Sequence, residues 1–454
     1  MKSLPHWLGS RFGRQSSQNR FANVGRRGAR RKNRPLWIES LEERLMLATV
    51  NWIGGTGDWN TVSNWSDGVI NRLPVADDDV VIPAGVTVTH SSGTHTVTSI
   101  TDSGNFTLSG GTLIVDGSLA VSGTFSLSGG TLQNATVASG TTVVMVSNTT
   151  TLNNVTVDGT LDVTGTISSG GLTLSDATGS WDFAGGTISG GTLDVAAGST
   201  TNPRLIAAAQ NSGTLAGGVT LNAGLDMAVL VNNGFTVFVT GGLTLNQTLN
   251  IGNTSGTTAA GLSFNSATQT LGGSGTVVFG GHASNLLTPQ VGQMLTIEPT
   301  ITIRGKSGNV GASSRTLINQ GVIQADTTSG TINVNWGTNG SNSGTIQASS
   351  GGTLDASPTT FTNFSSGTLT GGTYRVIGSS TMRLGIPSDI LTNAATIVLD
   401  GSGANFYRGP SGTTNALAGL TTIAAAGSLT IQNGRNLTLA GALAHSGSKP
   451  SPNP

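Results

Sequence analysis

The sequence predicts an all-β chain folded as a parallel β-helix, or β-solenoid. Three observations carry this. The segment Ser109-Gly110-Gly111-Thr112-Leu113 returns as Ser128-Gly129-Gly130-Thr131-Leu132, as Ser189-Gly190-Gly191-Thr192-Leu193 and as Ser350-Gly351-Gly352-Thr353-Leu354. A turn signal returning every ~20 residues marks stacked repeats, because a unit that short buries its apolar face only against its neighbours. Charged residues make up 9% of the 454 positions while glycine supplies 68, a balance that by itself suggests disorder rather than a globular domain. Against disorder, apolar residues alternate between the turns, as in Leu119, Val121, Phe125 and Leu127 or Leu172 and Leu174, which puts every second side chain on one face of a strand.

Residues 1–48 read as a basic leader, disordered over residues 1–35 and ending in a short sorting-type helix, with ordered β structure expected from near Val50. They hold 11 of the 21 Lys and Arg against three acids, so this stretch carries +8 and the remaining chain −8. A basic arm is attracted to nucleic acid, but no interleaved aromatics and no basic patch follow in the body, and no nucleic-acid partner is expected. Ser40 and Glu43 form a capping box for a short helix, with Leu41 and Leu45 on one face. The run Leu41-Glu42-Glu43-Arg44-Leu45-Met46-Leu47 resembles the Leu-Glu-Pro-Arg-x-Leu-Leu sorting signature of large bacterial surface proteins, departing from it at Glu43 and Met46. No apolar h-region of a secretory signal follows, so the expected location, secreted or at the cell surface, rests on this resemblance and on the architecture.

Residues 49–100 read as a Trp-rich cap with the first strands. Trp52, Trp59 and Trp65 cluster closely, ahead of Pro74, Asp77-Asp78-Asp79 and Val80-Val81-Ile82. A solenoid end exposes unpaired strand edges and apolar core, and large aromatics are suited to cover both. The pattern resembles the opening module of bacterial β-solenoid surface proteins, in which Asn-Trp, Asp-Trp and Asn-Trp pairs precede an Asp-Asp-x-Val-x-Ile strand. The functional alternative is a glycan platform, with the three indoles stacking on sugar rings. Asp77, Asp78 and Asp79 are the weak candidates for a metal, calcium, and so for the only cofactor the sequence suggests. Three adjacent carboxylates on an extended chain point to alternating faces, however, and strand-entry acids are the preferred reading.

Residues 101–288 and 289–445 read as two flavours of one solenoid. The first uses Gly-Gly-Thr-Leu turns. The second repeats Asn319-Gln320-Gly321-Val322-Ile323-Gln324-Ala325 as Asn342-Ser343-Gly344-Thr345-Ile346-Gln347-Ala348, with Gly321, Gly344 and Gly367 evenly stepped. Leu113, Leu132, Leu193, Ile346, Leu354 and Leu369 each follow such a turn and are expected to point inward at similar places in their coils. Thr and Asn at equivalent positions are expected to form ladders along the stack. At one strand spacing per coil the body predicts on the order of 16 coils. These Asn-x-Gly-Thr units resemble those of autotransporter passengers and filamentous haemagglutinin-type adhesins, and the resemblance implies a right-handed helix. Residues 446–454, with three prolines, read as a Pro-rich tail or linker.

Composition and spacing also bear on chemistry. The chain has no cysteine, hence no disulfide, thiol nucleophile or thiolate metal site. Beyond position 90 the acids are scattered singles, where a glycosidase needs a convergent pair. Asp158 and Asp162 share a parity but are parted by a turn at Gly159. His90 and His95 flank Ser91-Ser92-Gly93 in the manner of a hairpin, and Arg304 and Lys306 share a strand face with no acid nearby in sequence. No catalytic residue and no cofactor-binding residue is therefore assigned. The expected function is that of a non-catalytic surface β-solenoid, adhesin-like or structural, meeting surface glycans or other surface proteins. A polysaccharide-active lyase or hydrolase is the alternative. No segment of 18 or more apolar residues predicts a membrane span.

Overall fold

The computed structural model describes residues 48–446, apart from 139, 146–149, 154, 158–159, 164–165, 170–171, 175, 177–179, 184–186, 208–211, 229–233, 358–360 and 410–411. The disorder expected of the leader, its capping box and residues 447–454 lie outside the described residues. The body is a β-solenoid of about 13 turns, and helix is confined, among the described residues, to one 3-10 turn at Val62–Asn64. Each complete turn gives one strand to each of three sheets. The first sheet runs from Ala48–Trp52 through Asp78–Ile82, Ser99–Asp102 and Ser118–Val121 to Ser341–Asn342. The second includes Gly57–Asp58, Thr87–His90, Asn105–Leu108 and Thr124–Leu127 and extends to Ser428–Gln432. The third runs from Thr94–Val97 through Thr112–Val115 and Thr131–Gln133 to Asn405–Arg408.

Pairing along the stack is parallel and in register, for example Thr94 to Thr112, Thr112 to Thr131 and Thr131 to Thr151. The turn count falls short of the 16 coils expected because the turns lengthen. Near the start Leu113 pairs with Leu132, whereas further on Leu243 pairs only with Leu271, across a visibly longer stretch of chain. The first sheet ends at Asn342, and two further turns add strands only to the second and third sheets: Thr368–Ile377 with Thr381–Leu384, then Thr392–Asp400 with Asn405–Arg408. Where the repeat changes flavour near residue 289 the third sheet is unbroken, since Leu286–Pro289 pairs with the strands before and after it.

The core is a continuous column of inward side chains. Leu113, Leu132, Leu193, Ile346, Leu354 and Leu369 all lie in it, buried. Their places in the turn differ, which corrects the single register expected: Leu113, Leu132 and Leu354 belong to the third sheet, Leu193 to the first, and Ile346 and Leu369 to the second. The Gly-Thr-Leu signal marks any corner of the triangle, because every corner needs a tight turn and every following strand needs an inward apolar residue.

The expected ladders are present, inside as well as outside. Asn222 Nδ2 donates to Asp194 Oδ1 and Asn246 Nδ2 to Asn222 Oδ1 (2.8 Å), linking three consecutive turns. Within the core, Asn319 Nδ2 donates to Asn342 Oδ1 (2.8 Å), the Asn342 backbone N–H donates to Asn363 Oδ1 (2.8 Å), and Asn363 Nδ2 donates to the Asn342 carbonyl (2.8 Å). All three asparagines are buried. The ladder carries the corner past the end of the first sheet, satisfying backbone that would otherwise be desolvated without a partner. Asn342→Ala should lower stability by about 1–2 kcal/mol, since it removes the shortest acceptor of the buried Asn319 amide and leaves it only the longer bonds of 3.3 Å to the Gly321 and Thr345 carbonyls. A urea titration checks this; an unchanged midpoint would mean the ladder contributes nothing net.

At the N-terminal end, residues 48–66 supply a partial turn ahead of the first complete one. Ala48–Trp52 pairs parallel with Asp78–Ile82, and Trp65–Ser66 folds back antiparallel against it, with Trp52 opposite Trp65. Gly57–Asp58 pairs with the strand Thr87–His90. Among the described residues the first strand starts at Ala48, beside the expected start near Val50. Gly54 is required by a close approach, because a Cβ there would lie 2.5 Å from the Asn64 carboxamide.

Candidate binding surface

The outer face of the second sheet is regular over many turns. One outward column reads Thr248, Thr276, Thr302, Val322, Thr345, Thr373 and Thr396 over seven successive turns. Two positions further along each strand, a second column reads Asn250, Val278, Arg304, Gln324, Gln347, Arg375 and Val398. Alternation along each strand places both columns outward, and the parallel register sets neighbours in a column ~4.8 Å apart. The result is a strip of hydroxyl and amide groups with little uncompensated charge.

Two arginines of this face are paired with an aspartate of the adjacent turn. Arg204 Nε donates to Asp226 Oδ2 (2.9 Å), and Arg304 Nε to Asp326 Oδ2 (2.6 Å). On the third sheet Arg383 meets Asp355 at 3.2 Å. Arg304 does have an acid partner, then, one turn away at Asp326. The signal for such pairs was in the sequence as Arg and Asp separated by about one repeat. Reading neighbours only along the strand concealed it.

The cap tryptophans take no part in this surface. Trp52, Trp59 and Trp65 are 2%, 0% and 0% exposed, which leaves no indole face for a sugar ring and corrects the glycan-platform alternative. Trp65 packs edge-on against both neighbours, with ring centroids 4.8 Å from Trp52 and 4.7 Å from Trp59. Its Nε1 donates to the Trp59 carbonyl (2.7 Å), and Trp52 Nε1 donates to the Gly55 carbonyl (2.8 Å).

The three aspartates considered for calcium part company. Asp77 is exposed. Asp78 is buried and clamped by Arg72, whose Nη1 and Nη2 reach its two oxygens at 2.6 and 2.8 Å. Asp79 points the other way and accepts from Ser99 Oγ (2.5 Å). Arg72 Nε also donates to Asp67 (2.8 Å). The backbone N–H of Ile70, together with this guanidinium and the Val69 N–H, holds the Asp67 carboxyl down at about 2. Asp78 is therefore half of a bidentate ion pair that ties the loop to the first sheet, and the trio offers no convergent oxygen cage. Among the described residues no group of three or more His, Asp or Glu is placed to hold a metal ion.

His90 and His95 do not flank a hairpin. His90 ends one strand and His95 is the second residue of the next, in different sheets across a solenoid corner. His90 Nδ1 lies 2.9 Å from the Gly110 carbonyl and His90 Nε2 lies 2.9 Å from His95 Nδ1. Since the carbonyl only accepts, His90 donates from Nδ1 and accepts at Nε2 from His95. Burial pushes both imidazoles below the ordinary histidine value, so the pair is neutral at neutral pH and acts as a corner staple under Trp59.

Several of the scattered acids accept hydrogen bonds from residues of an adjacent turn. Asp116 accepts from Asn134 (3.2 Å), Asp176 from Thr200 and Thr201, and Asp400 from Gln432 and Asn433. The side chains of Asp158 and Asp162 lie outside the described residues. Depressions among the described residues include one of about 400 Å³ beside Phe361, Phe364 and Leu391, one of about 330 Å³ beside Phe235, Gly261 and His282, and a third of about 290 Å³ beside Arg204, Gly224 and Asp226. The third opens on the outer face of the second sheet, next to the threonine column. Among the described residues no helix is long and apolar enough to cross a membrane. No protein-family model, no curated protein and no solved structure matches this chain.

Proposed function

We propose that this chain is a non-catalytic rod, secreted or displayed at a cell surface, that adheres weakly and repeatedly to glycans or to similar hydroxyl-rich surfaces. The observation that carries the reading is the pair of outward columns on the second sheet, threonine beside amide and guanidinium, held in register over seven turns. A hydroxyl or amide contact exposed to water contributes little alone. A rigid array of them raises the effective concentration of each contact for the next, so adhesion grows with the number engaged. Parallel strands keep the array in register without help from the ligand.

The test is adhesion of the rod, coupled to beads at graded density, to immobilised polysaccharides. Retention should rise more steeply than linearly with rod density, and Thr276→Ala in the column should change it less than about twofold. Linear dependence on density would overturn the reading. So would turnover of a polysaccharide that a single Asp→Asn change abolishes, which would favour a carbohydrate-active enzyme instead.

A further inference from the structure

We infer that the depression centred on Gly224 is a discrete subsite for one ring of a neutral saccharide. The inference rests on the glycan-contact reading above and gives it a specific place. In the column that continues into Thr248 and Thr276, Arg204 stands opposite Gly224. Among the described residues Gly224 is the only glycine of that column. A glycine inside a strand weakens it, and often marks a place where a ligand or another backbone approaches closely. No turn requires glycine here, because Gly224 does not adopt the left-handed conformation. A Cβ at this position would lie 3.1 Å from the Thr248 carbonyl and 3.4 Å from Arg204 Cβ, which is tight but accommodated by a shift of tenths of an ångström.

Gly224 forms part of the wall of a hollow of about 290 Å³, lined also by Asn202, Arg204, Asp226, Gln247, Thr248 and Asn250. That is room for about ten waters, enough for one sugar ring. Its floor is fixed. The Asp226 side chain is 8% exposed and accepts from Arg204 Nε (2.9 Å) and from the Ala228 N–H (2.9 Å). Among the described residues Arg204 Nη1 and Nη2 have no partner, and the side chain stays 36% exposed. The Arg304–Asp326 pair has the same cross-turn form but carries Gln324 rather than glycine opposite its arginine, which is 50% exposed. The ion pair alone is therefore a staple between turns; the hollow is what distinguishes the first pair.

The chemistry of the lining selects the ligand. The Arg204–Asp226 pair is neutral as a unit, so an anionic sugar would gain the guanidinium only above a buried carboxylate. Three carboxamides and a hydroxyl each offer both donors and acceptors, matching adjacent sugar hydroxyls, which also donate and accept. A group that satisfies these pairs is favoured over an analogue lacking one of them, because the unmatched polar group is left desolvated.

The test is titration of the soluble protein with cellotriose, mannotriose and triacetylchitotriose, with trigalacturonate as the acidic arm. At least one neutral trisaccharide should bind, and Gly224→Thr, which places in the hollow the residue the column carries at 248 and 276, should weaken it at least tenfold. Asn250→Ala should weaken it several-fold and serves as the second variant should Gly224→Thr fail to fold. Unchanged binding by the folded variants would overturn the subsite while leaving adhesion through the columns standing. Binding of trigalacturonate alone would overturn the neutral class. Absence of any binding by the unaltered protein, with absence of bead adhesion, would overturn the subsite and the glycan reading together.

Discussion

Trp65→Ala should lower stability by about 3–5 kcal/mol, the range for removing a large aromatic from a packed interior. The loss should be concentrated at one end of the rod. Trp65 is completely buried, wedged edge-on between Trp52 and Trp59, and its indole N–H donates to the Trp59 carbonyl (2.7 Å). Truncation would open a cavity, strip a buried carbonyl of its donor and free the antiparallel strand Trp65–Ser66 that covers the edge of the first sheet. In a solenoid each turn contacts only its neighbours, so stability is close to a sum of local terms. Hydrogen exchange should therefore accelerate over residues 48–102, while the turns around residues 295–356 keep their protection. Adhesion per folded molecule should hardly change, because the indoles are not at the outer surface. Uniform loss of protection along the rod, or none at residues 48–102, would show that this module does not act as a local cap.

Much of the architecture was legible because a solenoid is written locally. Gly110-Gly111 and Gly129-Gly130 mark corners, and the strand after each corner alternates, so strand positions and inward residues such as Leu113 and Leu132 follow from parity alone. Which sheet a strand joins did not follow. Leu113 and Leu193 sit behind the same Ser-Gly-Gly-Thr signal and enter different sheets, because each turn contains three corners of similar chemistry. Turn number was overestimated for a related reason: insertions such as the one between Leu243 and Leu271 lengthen a corner without adding a strand.

The candidate surface was legible only in part. The expectation of Thr and Asn ladders came from the composition, and the columns through Thr276 and Asn250 give it a location. Arg204, Gly224 and Asp226 were missed, since Arg204 is a full turn away from the other two in sequence and meets them only once the register of the second sheet is known. The tryptophans show the opposite difficulty. Their clustering was plain, but an indole recruited to a core and one offered to a sugar look alike in sequence, and only the antiparallel return of Trp65 decides between them.

Asp102→Asn should raise stability above pH 6 and remove part of its pH dependence. Asp102 occupies an inward position of the first sheet, between Ile82 of the preceding turn and Val121 of the next. Parity with Ile100 already placed it there. Oδ1 accepts from the Gly104 N–H (2.6 Å), while Oδ2 is buried with no hydrogen-bond partner among the described residues. Burial pushes the carboxyl up to about 6 from its ordinary 3.8, the Gly104 bond only partly opposing the rise. A raised folded-state value means that the folded chain binds the proton more tightly than the unfolded one. The contribution is therefore most favourable below pH 3.8, falls as pH rises through 6, and stays at its lower value above that. The full span is about 3 kcal/mol, since a tenfold difference in proton affinity between the two states is worth ~1.4 kcal/mol. Carboxylates such as Asp67, held low by their partners, act in the opposite direction, so the quantity to measure is the stability of Asp102→Asn minus that of the unaltered chain, from urea titrations between pH 3 and 8. That difference should grow between pH 4 and 6 and then level off. A difference constant across the range would mean that Asp102 does not titrate between 4 and 6, and that water reaches the carboxylate in the folded rod.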